Sequence, residues 1–421
     1  MDTASATAIV PELPRFSAQT EWARRRLAPL MRLWRAAIKQ TLSQVPRPFD
    51  NPHAHAPGPN SARVLIFGAG LSVGWGVSTH DLALPGFLAR SLAPLTGRGI
   101  DIDLVAHPDI HSGEALRRLN ALRLWRYDAI VVVLGVNESL YLASSTAWGK
   151  DLATLLARLQ ETVGVPVVLT GIQRIRSIPV YDSVLGSIAD IHAATLNRVS
   201  ARVCAEAPQA SYVPLPDFAL PESGRHRTPS TFAESARTIA AALAPVLAVP
   251  RHGADEPYRA AMQDDDAAEA IRQAAVDALD LSNPELCRTI DQLLDRTRLA
   301  FNTSTAAFSV LDKDMQLRRT SGADSIPQLP RAGSFCDTTI GCWGGMAVPD
   351  ALLDERFRDH HLVTGEPHVR FYAGFPVESR SGERIGTLCV YDSEPRHPDE
   401  IDLAGLRDFA LKLQHELQLS A

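Results

Sequence analysis

Long apolar runs are missing from this 421-residue sequence. None approaches the roughly 20 residues that a helix needs to cross a bilayer, so no membrane-spanning segment is expected. A basic stretch followed by an apolar core is likewise missing from Met1 to Phe16, and no secretory signal is expected there. Cysteine is scarce. The five residues Cys204, Cys287, Cys336, Cys342 and Cys389 are odd in number and form no C-x-x-C pair. That speaks against a disulfide framework or a zinc site and for free thiols in a cytoplasmic protein. Positive charge is not in excess: the formal net charge is −6, so the chain as a whole gives no reason to expect a nucleic-acid partner. Internal repeats and low-complexity tracts are absent, leaving ordinary globular domains. What is present, 45% hydrophobic and 21% charged residues, suits a soluble chain of about two or three domains with sizeable cores.

Composition divides the chain into four parts. Residues 1–61 read as a basic helical arm and a linker. Within it a helix is expected over 17–45, where Trp22, Leu27, Leu30, Leu33, Trp34 and Ile38 recur at helical spacing between arginines and Pro29 interrupts or kinks the run. That helix either packs on the following domain with its arginines solvated or docks on an anionic membrane or a partner; the first reading is preferred, and a membrane role is not expected. Pro46 to Pro59 reads as the linker. His53-x-His55 within it has metal-like spacing but no carboxylate framework, so no metal is expected, and no cofactor either.

Residues 62–249 alternate short apolar strands (Val64–Phe67, Ile102–Ala106, Ala129–Leu134, Val165–Thr170, Tyr212–Pro214) with helical stretches. This predicts an α/β fold, a parallel sheet covered by helices on both faces, with a ligand crevice beyond the carboxyl ends of the strands. Residues 250–282 read as linker and helix. Residues 283–421 read as an α+β domain, with a helix over about 267–302 leading into it, strands near Ala306–Leu311, Gln316–Ser321, Val369–Val377 and Arg384–Tyr391, and a final helix over about 400–418.

The block Gly68-Ala69-Gly70-Leu71-Ser72-Val73-Gly74-Trp75-Gly76 follows the first strand, and Gly135-Val136-Asn137-Glu138 follows the third. Together with His111-Ser112-Gly113-Glu114 and Ser223-Gly224-Arg225-His226, these blocks resemble the SGNH/GDSL hydrolases, which implies a flavodoxin-like parallel sheet. The resemblance places the nucleophile position on Gly70, backbone and amide oxyanion donors on Gly113 and Asn137, and the base on His226. Gly70 has no side chain with which to attack a carbonyl, and Ser223 stands where the acid orienting the base belongs. Ser72, two residues on, is the candidate for a displaced nucleophile; its capping role at the turn is the competing reading. Arg174 and Arg176, after the fourth strand, either reach an anion at the crevice or are solvated.

The C-terminal part carries Ser334-Phe335-Cys336, Val348-Pro349-Asp350-Ala351, Asp354-x-Arg356-Phe357, Val369-Arg370-Phe371-Tyr372-Ala373-Gly374 and Gly386-Thr387-Leu388-Cys389-Val390-x-Asp392. These runs resemble the GAF domains of bacterial signalling proteins. The resemblance implies either a small-molecule pocket or a dimerisation and relay module. Phe335, Phe357 and Tyr372 suit the apolar walls of such a pocket, and Asp337, Asp350, His368 and Arg370 its polar groups. Cys342, between Gly341 and Trp343, reads as the least core-like cysteine. Stripes at Leu403, Leu406, Phe409, Ala410, Leu413 and Leu417 either pair across a homodimer or close the domain's own core.

The expected function is a cytoplasmic sensor or regulator. Its GAF domain binds a small molecule or relays a signal to a partner signalling protein, while a degenerate SGNH-type domain binds a ligand or partner. The alternative is a GAF-regulated esterase with a displaced nucleophile.

Overall fold

A computed structural model describes residues 18–50, 52–120, 122, 124–162, 164–217, 228–251, 266–321, 328–342, 344–379 and 382–419. Two compact units result: the described residues up to Gly58 with Ala62–Val249, and Pro59–Ser61 with the described residues from Pro250 onward. Among the described residues no helix is long and apolar enough to cross a membrane.

The first unit runs α1 (Ala18–Ser43), β1 (His53–Ala56), β2 (Ala62–Gly68), α2 (Leu84–Thr96), β3 (Ile100–Ala106), α3 (Ser112–Asn120), β4 (Ala129–Val133), α4 (Val136–Leu140), α5 (Ser145–Thr162), β5 (Val167–Thr170), α6 (Val184–Glu206), β6 (Ala210–Val213) and α7 (Pro229–Leu247). Its sheet has the order β1-β3-β2-β4-β5-β6. Strands β2 to β6 are parallel, which gives them the flavodoxin-like order. The near-continuous apolar runs of β2, β4 and β5 are those of strands covered on both sides. Leu65, Phe67, Ile130, Val132 and Leu169 face a core with α1, α3, α5 and α6. Val64, Ile66, Val131, Val133 and Val168 face a second core with α2 and α7. Between β2 and β4 the chain reverses its direction of winding, and the crevice of such sheets opens there.

The segment read as a linker is partly a strand. β1 pairs antiparallel with β3 at the sheet edge, where flanking prolines remove no bond from the ladder. The alternation of a strand puts His53 and His55 on one face, and their Nδ1 atoms lie 2.9 and 2.8 Å from Asp103 and Asp101. That pairing, rather than a metal, accounts for the H-x-H spacing. Helix α1 packs on this unit: Met31 and Leu42 join its core, Trp34 meets Tyr181 edge-on at 5.7 Å, and Arg24 donates to the Leu142 carbonyl at 2.7 Å.

The second unit runs α8 (Asp266–Asp277), α9 (Pro284–Phe301), β7 (Thr305–Asp312), β8 (Met315–Ser321), β9 (Leu329–Pro330), α10 (Phe335–Ile340), β10 (Met346–Val348), α11 (His361–Thr364), β11 (Phe371–Glu378), β12 (Arg384–Asp392) and α12 (Leu403–Leu419). The single helix expected over 267–302 is two. Asn283 caps α9 by accepting from the Glu285 and Leu286 N–H groups, and Pro284 takes the first helical position, where no donor is needed. The antiparallel sheet has the order β10-β11-β12-β7-β8-β9. One face, with Phe308, Val310, Leu388 and Val390, packs on α9 and α12. The other, with Ala307, Leu311, Tyr372 and Cys389, packs on the segment holding α10 and α11. Leu406, Ala410, Leu413 and Leu417 close this unit's own core. Cys342, read as the least core-like cysteine, is buried in the core on the α10 face of the sheet, its thiol donating to the Thr338 carbonyl at 3.3 Å.

Gly68 holds β2 and β4 together where they end. Its φ is +143°, and a Cβ there would strike the Val133 carbonyl, which already accepts the Ala69 N–H at 2.8 Å. Gly68→Ala is therefore expected to destabilise the first unit by about 3 kcal/mol or more, read from urea unfolding, a loss typical of strained, overpacked positions.

Candidate functional site

The crevice of the first unit lies at the carboxyl ends of β2, β3 and β4. After Gly68 the chain makes a 3-10 turn over Gly70–Val73, entered by Gly70 in the left-handed region at φ +63°. A Cβ on Gly70 would stand 2.7 Å from Val136 Cγ2, so the space a nucleophilic side chain would need is occupied by valine. Ser72, the candidate displaced nucleophile, is fully buried and donates from Oγ to the Ala69 carbonyl at 3.0 Å. It stabilises the turn and presents no oxygen to the crevice.

The polar groups expected to hold an oxyanion have other partners. Asn137 Nδ2 donates both its hydrogens, to the Pro108 and Ile110 carbonyls at 2.8 Å each, and so fastens the loop after β3 instead of facing a substrate. Glu138, in place of the family's aspartate, is buried; one oxygen accepts the Ser112 N–H at 2.6 Å and Oε2 has no hydrogen-bond partner. Burial raises the Glu138 pKa, and the Ser112 N–H only partly opposes this. Ser112 Oγ in turn donates to Asp151 at 2.7 Å. The backbone N–H groups of Gly70 and Gly113 make no hydrogen bond with described residues. His226 and Ser223 lie outside the described residues. Arg174 and Arg176 are paired with Asp217 and Asp182 at 3.2 and 2.7 Å.

The second unit has a cleft between β8, β9 and the segment that carries α10 and α11. Its empty space is about 380 Å³ counting the open mouth, while the part into which a water molecule's centre fits is about 20 Å³. Phe335 and Tyr372 line it as expected, stacked at 4.8 Å, with Phe357 behind Phe335 at 4.1 Å. The four polar residues assigned to it are elsewhere. Asp350 and Arg370 form a two-pronged ion pair with each other at 2.5 and 2.6 Å. Asp337 pairs with Arg331 at 2.8 Å, and the His368 side chain is 57% exposed beside Glu366.

The polar lining comes instead from Gln316, Arg318, Ser334, Cys336 and the two histidines 360 and 361. Cys336 Sγ accepts from Gln316 Nε2 at 3.4 Å and from the Tyr372 hydroxyl at 3.7 Å. A hydrogen bond from the Cys389 thiol brings the Cys336 pKa down to about 6 against the opposing effect of burial, and the charge of Arg318 helps. His360 is pushed down to about 4 by burial, then by His361 and Arg318, and is neutral at pH 7. Alternation along β8 was the available signal: Gln316 and Arg318 share a face, while Leu317 and Arg319 share the other.

Residues 66–233 match the family described as GDSL-like Lipase/Acylhydrolase family, and residues 285–416 match the GAF domain. The chain thus carries a GDSL-like domain followed by a GAF domain. A cyclic di-GMP phosphodiesterase of Pseudomonas aeruginosa is 43% identical over 143 residues, 34% of this chain and 24% of that protein, so the chain spans well under half of the relative it matches. Among solved structures, TesA is 21% identical, covering 44% of this chain and 99% of its own, with a TM-score of 0.36. An inhibitor-bound M. smegmatis aryl esterase is 15% identical, covering 44% and 100%, also at 0.36. A free methionine-R-sulfoxide reductase from Neisseria meningitidis in complex with its substrate is 14% identical, covering 35% and 83%, at 0.27. At those scores nothing about residues or reaction follows.

Glu138 yields a pH prediction. Its folded pKa is raised, so the folded state holds the proton more tightly, and stability falls as pH rises from the ordinary carboxylate value towards the folded one. Glu138→Gln keeps an acceptor for the Ser112 N–H and cannot ionise. In urea unfolding it is expected to match the parent near pH 4 and to exceed it in stability at pH 7.

Proposed function

We propose that this chain is a signalling protein whose GAF domain takes a small molecule in the cleft beside β8. Its GDSL-like domain, in this reading, recognises a ligand or a partner protein without cleaving an acyl bond. The observation that carries the second half is the closed nucleophile position, Gly70 with Val136 where a side chain would go. Acyl transfer needs a nucleophile, a base and oxyanion donors in mutual reach. Here the neighbouring hydroxyl of Ser72 is buried in a turn and the Asn137 amide is bonded to two carbonyls. What remains open, the N–H groups of Gly70 and Gly113, can hold a carbonyl or carboxylate oxygen without reacting with it.

The signalling half is supported by the named role of the Pseudomonas aeruginosa relative and by the apolar cleft with a few polar groups. All five cysteines are free, which supports a reducing compartment.

Hydrolysis of p-nitrophenyl butyrate tests the reading. The folded protein is expected to release no more nitrophenol than the heat-denatured protein does. Gly70→Ser is expected to restore nothing, and to lower stability by about 1–3 kcal/mol because it adds a Cβ both at positive φ and against Val136. Turnover by the parent that disappears in Ser72→Ala would contradict the proposal.

A further inference from the structure

Arg318 lines the GAF cleft with no carboxylate partner among the described residues; the groups that favour its charge are Tyr391 and the thiols of Cys389 and Cys336. Its register fixes where it stands: Arg318 lies opposite Ser309 on β7, and Ser309 lies opposite Thr387 on β12. The side chain therefore rises from the face of the sheet that the cleft covers. Arg318 Nε and Nη1 are buried and make no hydrogen bond, and among the described residues no carboxylate pairs with the guanidinium. Its one aromatic contact is the Tyr391 ring, 5.1 Å from the guanidinium carbon.

Other arginines of this unit are treated differently. Arg319, one residue on and facing the opposite side, grips Asp291 with two hydrogen bonds at 2.5 and 2.6 Å. Arg331 holds both Glu269 and Asp337. Buried guanidinium N–H groups left without acceptors are costly, so Nε and Nη1 of this half-buried arginine call for one. Gln316 Oε1, on the same face of β8, is also buried without a hydrogen-bond partner. The Cys336 sulfur accepts from Gln316, Tyr372 and the Cys389 thiol, and neither Nε nor Nη1 of Arg318 donates to it.

We infer that the GAF cleft is a receptor for a small organic carboxylate, held by the unpaired Arg318 guanidinium. This deepens the proposed function and rests on its reading of the cleft as a ligand site. Size and polarity narrow the class. Among the described residues that line the cleft none is Asp or Glu, and Leu329, Pro330, Leu362 and Val369 supply apolar contact. With His360 neutral, the guanidinium suits at most one added negative charge, which would share it with Cys336; a phosphate dianion would call for more cations and donors. The little interior space excludes bulky ligands unless side chains move.

Cys336 reports occupancy, because it lines the same cleft and its thiolate is favoured by the Arg318 charge. The experiment follows methylthiolation of Cys336 in the full-length protein by methyl methanethiosulfonate, mapped by peptide mass spectrometry. It is run with propionate, with its neutral isostere propionamide, and with sodium chloride at equal ionic strength. Propionate is expected to slow the reaction by roughly threefold or more, by filling the cleft and by offsetting the charge that stabilises the thiolate. Propionamide and chloride are expected to leave the rate unchanged, and Arg318→Gln to abolish the propionate effect. If Arg318→Gln does not fold, Arg318→Lys keeps the charge without the planar fork and is expected to weaken protection; undiminished protection would overturn the inference.

Equal slowing by propionate and propionamide would overturn carboxylate selection and leave the cleft as a ligand site. No slowing by either, with Cys336 reactive, would also overturn it. A Cys336 that reacts in urea but never in the folded protein would mean a cleft closed to small molecules, and the ligand-site reading would fall as well.

Discussion

Everything in the first domain follows from how tightly β2 and β4 meet at their carboxyl ends. Gly68 has to be glycine because the Val133 carbonyl occupies the place of its Cβ, and that contact aims the next residues across the sheet. Gly70 then enters a left-handed turn whose outer side is filled by Val136, the residue after the Gly135 turn of β4. In an enzyme of this architecture, the same switch point is where a nucleophile meets the crevice. Here the two loops close on each other, Ser72 turns inward and Asn137 ties down the loop after β3. Replacing one glycine by serine would not reopen it. The packing, beyond the missing hydroxyl, argues for recognition over hydrolysis.

The second domain presents the opposite situation, a cleft with unmet polar demand. Antiparallel strands alternate their faces, so the neighbours Arg318 and Arg319 live in different environments, one paired with Asp291 and one left unpaired beside Cys336. A signalling module that binds a ligand needs a state whose stability depends on occupancy. In the proposed reading Arg318 would supply that dependence, because a bound anion would accept from its buried Nε and Nη1.

Much of this was legible in the sequence, and the limits have physical reasons. The central strands declare themselves because residues buried on both sheet faces are continuously apolar, as in Ala129–Val133. That the resemblance puts the nucleophile position on Gly70 is legible from the spacing of Gly68, Gly74 and Gly76. That Val136 fills the gap is not, since it depends on contact between loops more than sixty residues apart. β1 was hidden because its prolines and histidines read as linker, and only its partner Asp101 and Asp103 side chains explain its composition. In the GAF domain the aromatic walls were found, but the polar lining was misassigned. Asp350 and Arg370 looked like pocket groups and instead neutralise each other across twenty residues, while Arg318 is indistinguishable by type from Arg319 until the register of β8 is known.

If the GDSL-like domain binds without covalent chemistry, intact mass after exposure to a broad fluorophosphonate probe is the sharpest check. The account predicts an unmodified mass for the folded protein beside a serine hydrolase that labels fully. A stoichiometric adduct mapped to Ser72, and lost in His226→Ala, would contradict it and restore a working hydrolase with a displaced nucleophile.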